Sequence, residues 1–291
     1  MPLRHEEVLT LEEIRRVAEV LTELGIRRIR VTGGEPLVRR NAMSLVQELT
    51  ELPNRPEIVM TTNGVFLGEH LEALAKTGVR KINISLDTLR RETYRELTGE
   101  DALDRVKEAL EKALSMGFEV KVNTVLIRGI NDTEAEEIAL LAKDGNVTVR
   151  FIELMPMGCA GGLTGVSGDA LLQQLEARFG TSEPVVGNGE EGSGPARYVW
   201  FPGFCSPVGF IDPISHRFCR DCNRIRLTVD GHLKLCLFYP DGIDLREPLR
   251  NGCSDEELAE MIRGAILLKP KRHEFVRGEA EEEKSMVQIG G

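Results

Sequence analysis

RRIRVTGGEP, residues 27–36, decides the fold. Its first six residues carry Ile29, Val31 and Thr32 and stop at Gly33-Gly34-Glu35-Pro36, which reads as a β-strand running into a loop. Just before it, Leu11, Ile14, Val17, Ala18, Leu21 and Leu24 recur at intervals of three and four. That spacing predicts an amphipathic helix, capped by Thr10 with Glu13 in the capping-box position. The helix-then-strand unit repeats outward from there. Helices are predicted over 42–52, 68–76, 102–116 and 134–143, and strands over 57–61, 81–84, 119–126 and 147–153. Such alternation predicts a parallel sheet, and five units in succession predict an α/β fold of the full or partial (β/α) barrel type.

The polar signatures fall at one end of these strands. Gly33-Gly34-Glu35-Pro36, Thr62-Asn63-Gly64, Ser85-Leu86-Asp87 and Glu153-Leu154-Met155-Pro156 each follow a predicted strand. In a barrel that is the face that carries the active site. Singly, each has a plainer reading: a Gly-Gly turn, a tight loop, helix N-caps at Ser85 and Asp87, a satisfied charge at Glu153. Their shared placement argues against that, because turn chemistry alone should appear equally at both ends of the sheet.

Cys219, Cys222 and Cys236 lie in FCRDCNRIRLTVDGHLKLC with Arg224 and Arg226 between them. The C-x2-C pair sits on one tight turn, and the third cysteine returns after a short hairpin centred on Asp230-Gly231. Structural zinc takes four ligands, so a zinc site here needs His216, His232 or Cys205 to complete it. A 4Fe-4S cluster on three cysteines instead leaves one iron open to a substrate atom. Arginine forks on the adjoining strand suit a polyanion such as a nucleotide. Six cysteines at uneven spacing do not make a disulfide framework.

Composition sets the outer bounds. A chain of 291 residues buries a large core, and its net charge of -10 counts against broad nucleic-acid or anionic-membrane binding. The local arginines therefore read as pockets for a small anion. No apolar run reaches membrane-spanning length and the N-terminus shows no signal-peptide pattern, so the expected compartment is the cytoplasm. GNGEEGSG, residues 187–194, reads as a flexible loop and divides the chain into a barrel over 1–186 and a C-terminal iron-sulfur region over 187–291.

RIRVTGGEPLVRRN (28–41), TTNG (61–64), NISLDT (83–88), VKVNTVLIRGIND (120–132), FIELMP (151–156), PISHRFCRDCNRIRLTVDGHLKLC (213–236) and the closing Gly290-Gly291 resemble, in order and over nearly the whole chain, the GTP 3′,8-cyclase family. These are radical S-adenosylmethionine enzymes of molybdenum-cofactor biosynthesis. The resemblance implies a partial (β/α)6 TIM-like barrel, here without its first strand, plus a C-terminal cluster region. It implies S-adenosylmethionine and two 4Fe-4S clusters as cofactors and GTP as substrate. A 5′-deoxyadenosyl radical would abstract hydrogen from the ribose C3′, and the carbon radical would attack guanine C8. An electron donor and the next enzyme of molybdopterin synthesis are the implied partners, with a homodimer left open.

Matched position by position, Gly34, Ser85 and Met155 would hold S-adenosylmethionine. Arg30, Thr61 and Lys121 would hold GTP, together with Arg224, Ile225 and Arg226. Cys219, Cys222 and Cys236 would ligate the C-terminal cluster, and Gly290 and Gly291 would reach into the barrel. One departure stands out. The superfamily's C-x3-C-x2-C, expected ahead of the first helix, is not in this sequence, whose first cysteine is Cys159. As it stands, the sequence is expected to bind substrate without cleaving S-adenosylmethionine alone, and to expose an aggregation-prone strand edge. It reads as a shortened form of an ordinary cyclase. The alternatives are a segment supplied by another chain and a GTP-binding iron-sulfur protein without radical chemistry. No role is assigned to Cys159, Cys205 or Cys253.

Overall fold

A computed structural model describes residues 4–157, 160–185 and 194–273. Helix α1 (Leu11–Glu23) begins at Thr10, whose side chain accepts from the Glu13 N–H while Glu13 reaches back to the Thr10 N–H, so the predicted capping box is present. Five strands alternate with helices from there: β1 (Arg28–Val31), α2 (Ala42–Thr50), β2 (Glu57–Thr62), α3 (Leu67–Lys76), β3 (Lys81–Ser85), α4 (Arg91–Thr98), α5 (Leu103–Ser115), β4 (Glu119–Val125), α6 (Ala135–Asp144) and β5 (Val147–Ile152). Beyond them lie α7 (Gly168–Phe179), β6 (Glu183–Pro184), β7 (Arg197–Trp200) and β8 (Val208–Ile211). The C-terminal part holds β9 (Arg226–Leu227), β10 (His232–Lys234), β11 (Gly242–Asp244), α8 (Arg246–Arg250) and α9 (Asp255–Leu267).

The large sheet runs β1-β2-β3-β4-β5-β8-β7-β6. Strands β1 to β5 and β8 pair in parallel, and β7 and β6 extend the sheet antiparallel. This is the expected α/β architecture, a partial barrel in which β1 forms one edge among the described residues. The sheet also crosses the expected division at residue 187, since β7 and β8 lie in the same sheet as β1 to β5. The short strands β9, β10 and β11 make a separate antiparallel sheet.

Period-two alternation gives the two faces of the large sheet opposite chemistry. Ile58 and Met60, Ile82 and Ile84, Val120 and Val122, Val149 and Phe151, and Phe210 are buried in one core with Val46 and Leu49 of α2, Leu71 and Leu74 of α3 and Val106 of α5. Truncating a fully buried leucine such as Leu71 or Leu74 to alanine would cost roughly 2–5 kcal/mol. The intervening residues, Arg30, Thr61, Asn83, Lys121, Asn123 and Arg150, share the other face and are polar. A second core joins Leu9 and α1 residues Val17 and Val20 to Leu233, Leu245, Leu249 and, from α9, Leu258 and Ile262. It anchors the cysteine-bearing hairpin, whose turn closes at Gly231 (φ 88°), where a Cβ would come within 2.6 Å of the Arg246 Cβ.

Candidate active site

The loops at the C-terminal ends of the strands are stapled to one another by carboxylates. Glu35 accepts from the Thr62 hydroxyl at 2.9 Å, the Asn63 N–H at 2.7 Å and the Leu37 N–H at 3.0 Å, joining the GGEP loop to the TNG loop. Asp87 accepts from the Val125 N–H at 2.7 Å, and the buried Asn131 amide donates to the Asp87 and Val125 carbonyls, so the end of β3 is fixed to the end of β4. Burial pushes the Asp87 carboxyl up to about 6. Glu153 accepts from the Ile214 N–H at 2.9 Å and the Ser215 N–H and hydroxyl, which ties the end of β5 to the loop that leads into Cys219. Gly34 and Ser85 are exposed on this rim.

Inside the mouth the polar face forms a connected row. Asn83 donates to the Thr61 hydroxyl at 3.1 Å, and Arg150 donates to Asn83 at 2.7 Å and to Asn123 at 2.8 Å. Lys121 lies 3.4 Å from Glu119, with its ammonium 5.9 Å from the Tyr198 ring centre. Arg30 reaches solvent yet stands deep among protein atoms, as a side chain lining an open concavity does. That desolvation, followed by the charges of Arg150, Arg224 and Arg226, pushes it down to about 10. Burial also lowers Arg224, Arg226 and Arg150. Four guanidiniums thus converge, from β1, from β5 and from the cysteine loop. Among the described residues, the side chains of Arg30, Arg224 and Arg226 have no ion pair. Such a cluster is built to receive an anion.

Arg150 was not singled out from sequence. The signal was there: it is the only charge in the strand VTVRFI and falls on the polar face. Ile225 behaves differently from its neighbours, because its side chain packs with Leu227 into the second core. Any contact from it to a ligand in the mouth is left to its backbone. Gly290, Gly291 and Cys159 lie outside the described residues.

The three cysteines of the C-terminal motif are free thiols, each partly buried. Cys219 opens a single 3-10 turn closed by the Cys222 N–H to the Cys219 carbonyl at 3.2 Å. Cys236 follows β10, whose Lys234 pairs with Arg226, and both Cys222 and Cys236 lie close enough to act electrostatically on Arg226. Cys236 also packs with Met155, Met157, Ile214 and Phe238, so one small apolar cluster joins the ELMP loop to the cysteine site.

Cys219 and Cys222 line a concavity of about 580 Å³ together with Arg217, Arg220, Lys269, Lys271 and Arg272. Thiols set among five cations and no lining carboxylate fit an anionic, thiolate-held cluster. Among the described residues no three His, Cys, Asp or Glu side chains converge as the ligands of one metal ion would. His216 is held by Asp169 at 2.8 Å and His232 lies 3.3 Å from the Pro240 carbonyl. Both histidines that could complete a zinc site are therefore hydrogen-bonded elsewhere.

Residues 2–142 match the Radical SAM superfamily, and residues 147–275 match the family described as Molybdenum Cofactor Synthesis C. The chain is 39% identical to the GTP 3′,8-cyclase of Clostridium perfringens over 99% of its own length and 89% of that protein's. It is 42% identical to the GTP 3′,8-cyclase of Moorella thermoacetica over 100% of this chain and 90% of that one. A GTP 3′,8-cyclase of Syntrophomonas wolfei is also 42% identical, over 99% and 89%. The chain belongs to the GTP 3′,8-cyclase family.

Proposed function

We propose that the strand-end mouth and the cysteine loop form one site that binds GTP for 3′,8-cyclisation, the activity that names the family. The observation that carries this reading is the convergence of Arg30, Arg150, Arg224 and Arg226 beside the segment that bears the three cysteines. The guanidiniums would neutralise the triphosphate, with Lys121 and Thr61 extending the same face. Arg150, braced by two asparagines, is pre-oriented before any ligand arrives. Gly34, Ser85 and Met155 would take S-adenosylmethionine at the strand ends, where a small or backbone donor lets a ligand approach closely.

Cys219, Cys222 and Cys236 would hold a 4Fe-4S cluster with one iron open to the guanine. The cofactors supply the radical chemistry. The protein's own part is to hold the ribose C3′ near guanine C8, to neutralise charge and to exclude water. Near-full-length similarity to cyclases favours the enzyme over a GTP-binding protein without radical chemistry. An electron donor and the next enzyme of molybdopterin synthesis are the partners such a reaction calls for, and a homodimer and a cytoplasmic location are consistent with it. No helix among the described residues is long and apolar enough to cross a membrane.

The test is iron and acid-labile sulfide per chain after anaerobic reconstitution, read beside a GTP binding isotherm. About four irons with GTP binding is the expected result. A single zinc, no iron, or no GTP binding overturns the reading.

A further inference from the structure

Lys269 occupies a position that the sequence motifs do not explain. It lies two residues beyond the end of α9, whose Leu258, Ile262 and Ala265 are buried, and Pro270 follows it. Its ammonium donates to the Arg224 carbonyl at 2.8 Å and, more closely, to the Leu235 carbonyl. Arg224 is two residues past Cys222, and Leu235 immediately precedes Cys236.

The backbone between these points explains why a side chain is needed. The β9–β10 ladder pairs Leu227 with Leu233 and Arg226 with Lys234, and goes no further. Between this ladder and the cysteines, the Arg224 and Leu235 carbonyls both accept from Lys269. Lys269 supplies both hydrogen bonds at once and fixes how far the strands separate. Its Nζ carries three N–H donors, two of which are used in this way. The same residue lines the concavity with Cys219 and Cys222, and no carboxylate among the described residues pairs with it.

We propose that Lys269 is a positioning residue for the cluster at Cys219, Cys222 and Cys236, and that its uncompensated charge raises that cluster's reduction potential. The inference rests on the reading of those cysteines given above. It adds that the residue setting their spacing comes from a different element and is charged. A positive charge beside a cluster favours its reduced, more negative form, and net charge and hydrogen bonding are the levers that set such potentials.

The experiment compares wild type, Lys269→Met, Lys269→Gln and Lys269→Arg after anaerobic reconstitution. It reads iron and sulfide per chain, the rate of iron loss to EDTA, and the midpoint potential from an EPR-monitored redox titration. A wild-type chain that takes up no iron refutes the cysteine reading itself and is recognised before any variant is scored. With wild type loaded, Lys269→Met should lose iron about tenfold faster or more, since two charge-assisted hydrogen bonds are gone. Its remaining cluster should titrate at a lower potential, and Lys269→Arg should restore most of both properties. If Lys269→Met fails to assemble, Lys269→Gln, which keeps a donor without the charge, carries the potential measurement. A midpoint equal to wild type in the uncharged variant refutes the electrostatic role. Wild-type iron retention in Lys269→Met refutes the positioning role.

Discussion

Replacing Asp87 by asparagine tests how the mouth of the sheet is held together. Asp87 accepts from the Val125 N–H at 2.7 Å, and burial raises its carboxyl from 3.8 to about 6, that hydrogen bond offsetting part of the effect. The folded chain therefore keeps the Asp87 proton to a higher pH than the unfolded chain does. Between about pH 4 and pH 6 the folded state binds more protons, so this group's contribution is complete at low pH, falls as pH rises through that window, and stays low above it. At roughly 1.4 kcal/mol per pH unit, the loss at neutral pH is on the order of 3 kcal/mol. Asparagine has no proton to lose and retains a carbonyl oxygen for Val125. Asp87→Asn should therefore exceed wild type in stability by up to about 3 kcal/mol near pH 7.5, with the gap closing toward pH 4. Asp87→Ala leaves the Val125 N–H unpaired and should lose roughly 1–3 kcal/mol at low pH, where the wild-type group is neutral. Urea unfolding followed by circular dichroism across that pH range gives the comparison. A difference between Asp87→Asn and wild type that does not change with pH would show that the carboxyl does not titrate in this window, and the buried-charge argument would fail.

Arg226→Ala should weaken GTP binding roughly ten- to a hundredfold while leaving iron per chain unchanged, as read by calorimetry and an iron assay; unaltered affinity removes Arg226 from the pocket. Gly209→Ala places a Cβ 2.7 Å from the Tyr198 ring and 3.0 Å from the Arg150 Cγ, so it should cost about 1–3 kcal/mol in thermal unfolding and reduce GTP affinity through displacement of Arg150. A substitution that lowers the melting temperature without touching affinity would uncouple Arg150 from the ligand. Glu153→Ala should release the loop at Ile214 and Ser215 and speed iron loss to a chelator, with Glu153→Gln intermediate because one acceptor survives. Equal rates in all three proteins would show that the clamp does not reach the cysteines.

The five helix-then-strand units were legible because each strand alternates in chemistry and each helix carries an apolar stripe. Thr10 and Glu13 announced the first helix through a local capping box that needs no tertiary partner. The grouping of GGEP, TNG, SLD and ELMP at one end followed from their place after each strand. Other features depend on partners distant in sequence. The pairing of β8 with β5 is not written in either strand, so the sheet extends further into the C-terminal part than a division at residue 187 suggests. Glu35 looked like part of a turn motif, yet its work is to staple a loop more than a strand away. Arg150 and Lys269 escaped notice for the same reason: a lone charge in an apolar strand and a lysine past a helix end acquire meaning only from what they face.

Helix α1 belongs to both apolar cores. Leu11, Ile14 and Ala18 pack with the large sheet, while Val17, Val20, Leu21 and Leu24 pack with the hairpin and α9, and Ile14 touches both groups. Neither core can open without stripping one side of the same thirteen-residue helix. The large sheet and the cysteine-bearing hairpin therefore stand or fall together, as two rooms share a wall. Loosening of the hairpin core would reach the core of the large sheet through this helix and would register in the melting of both.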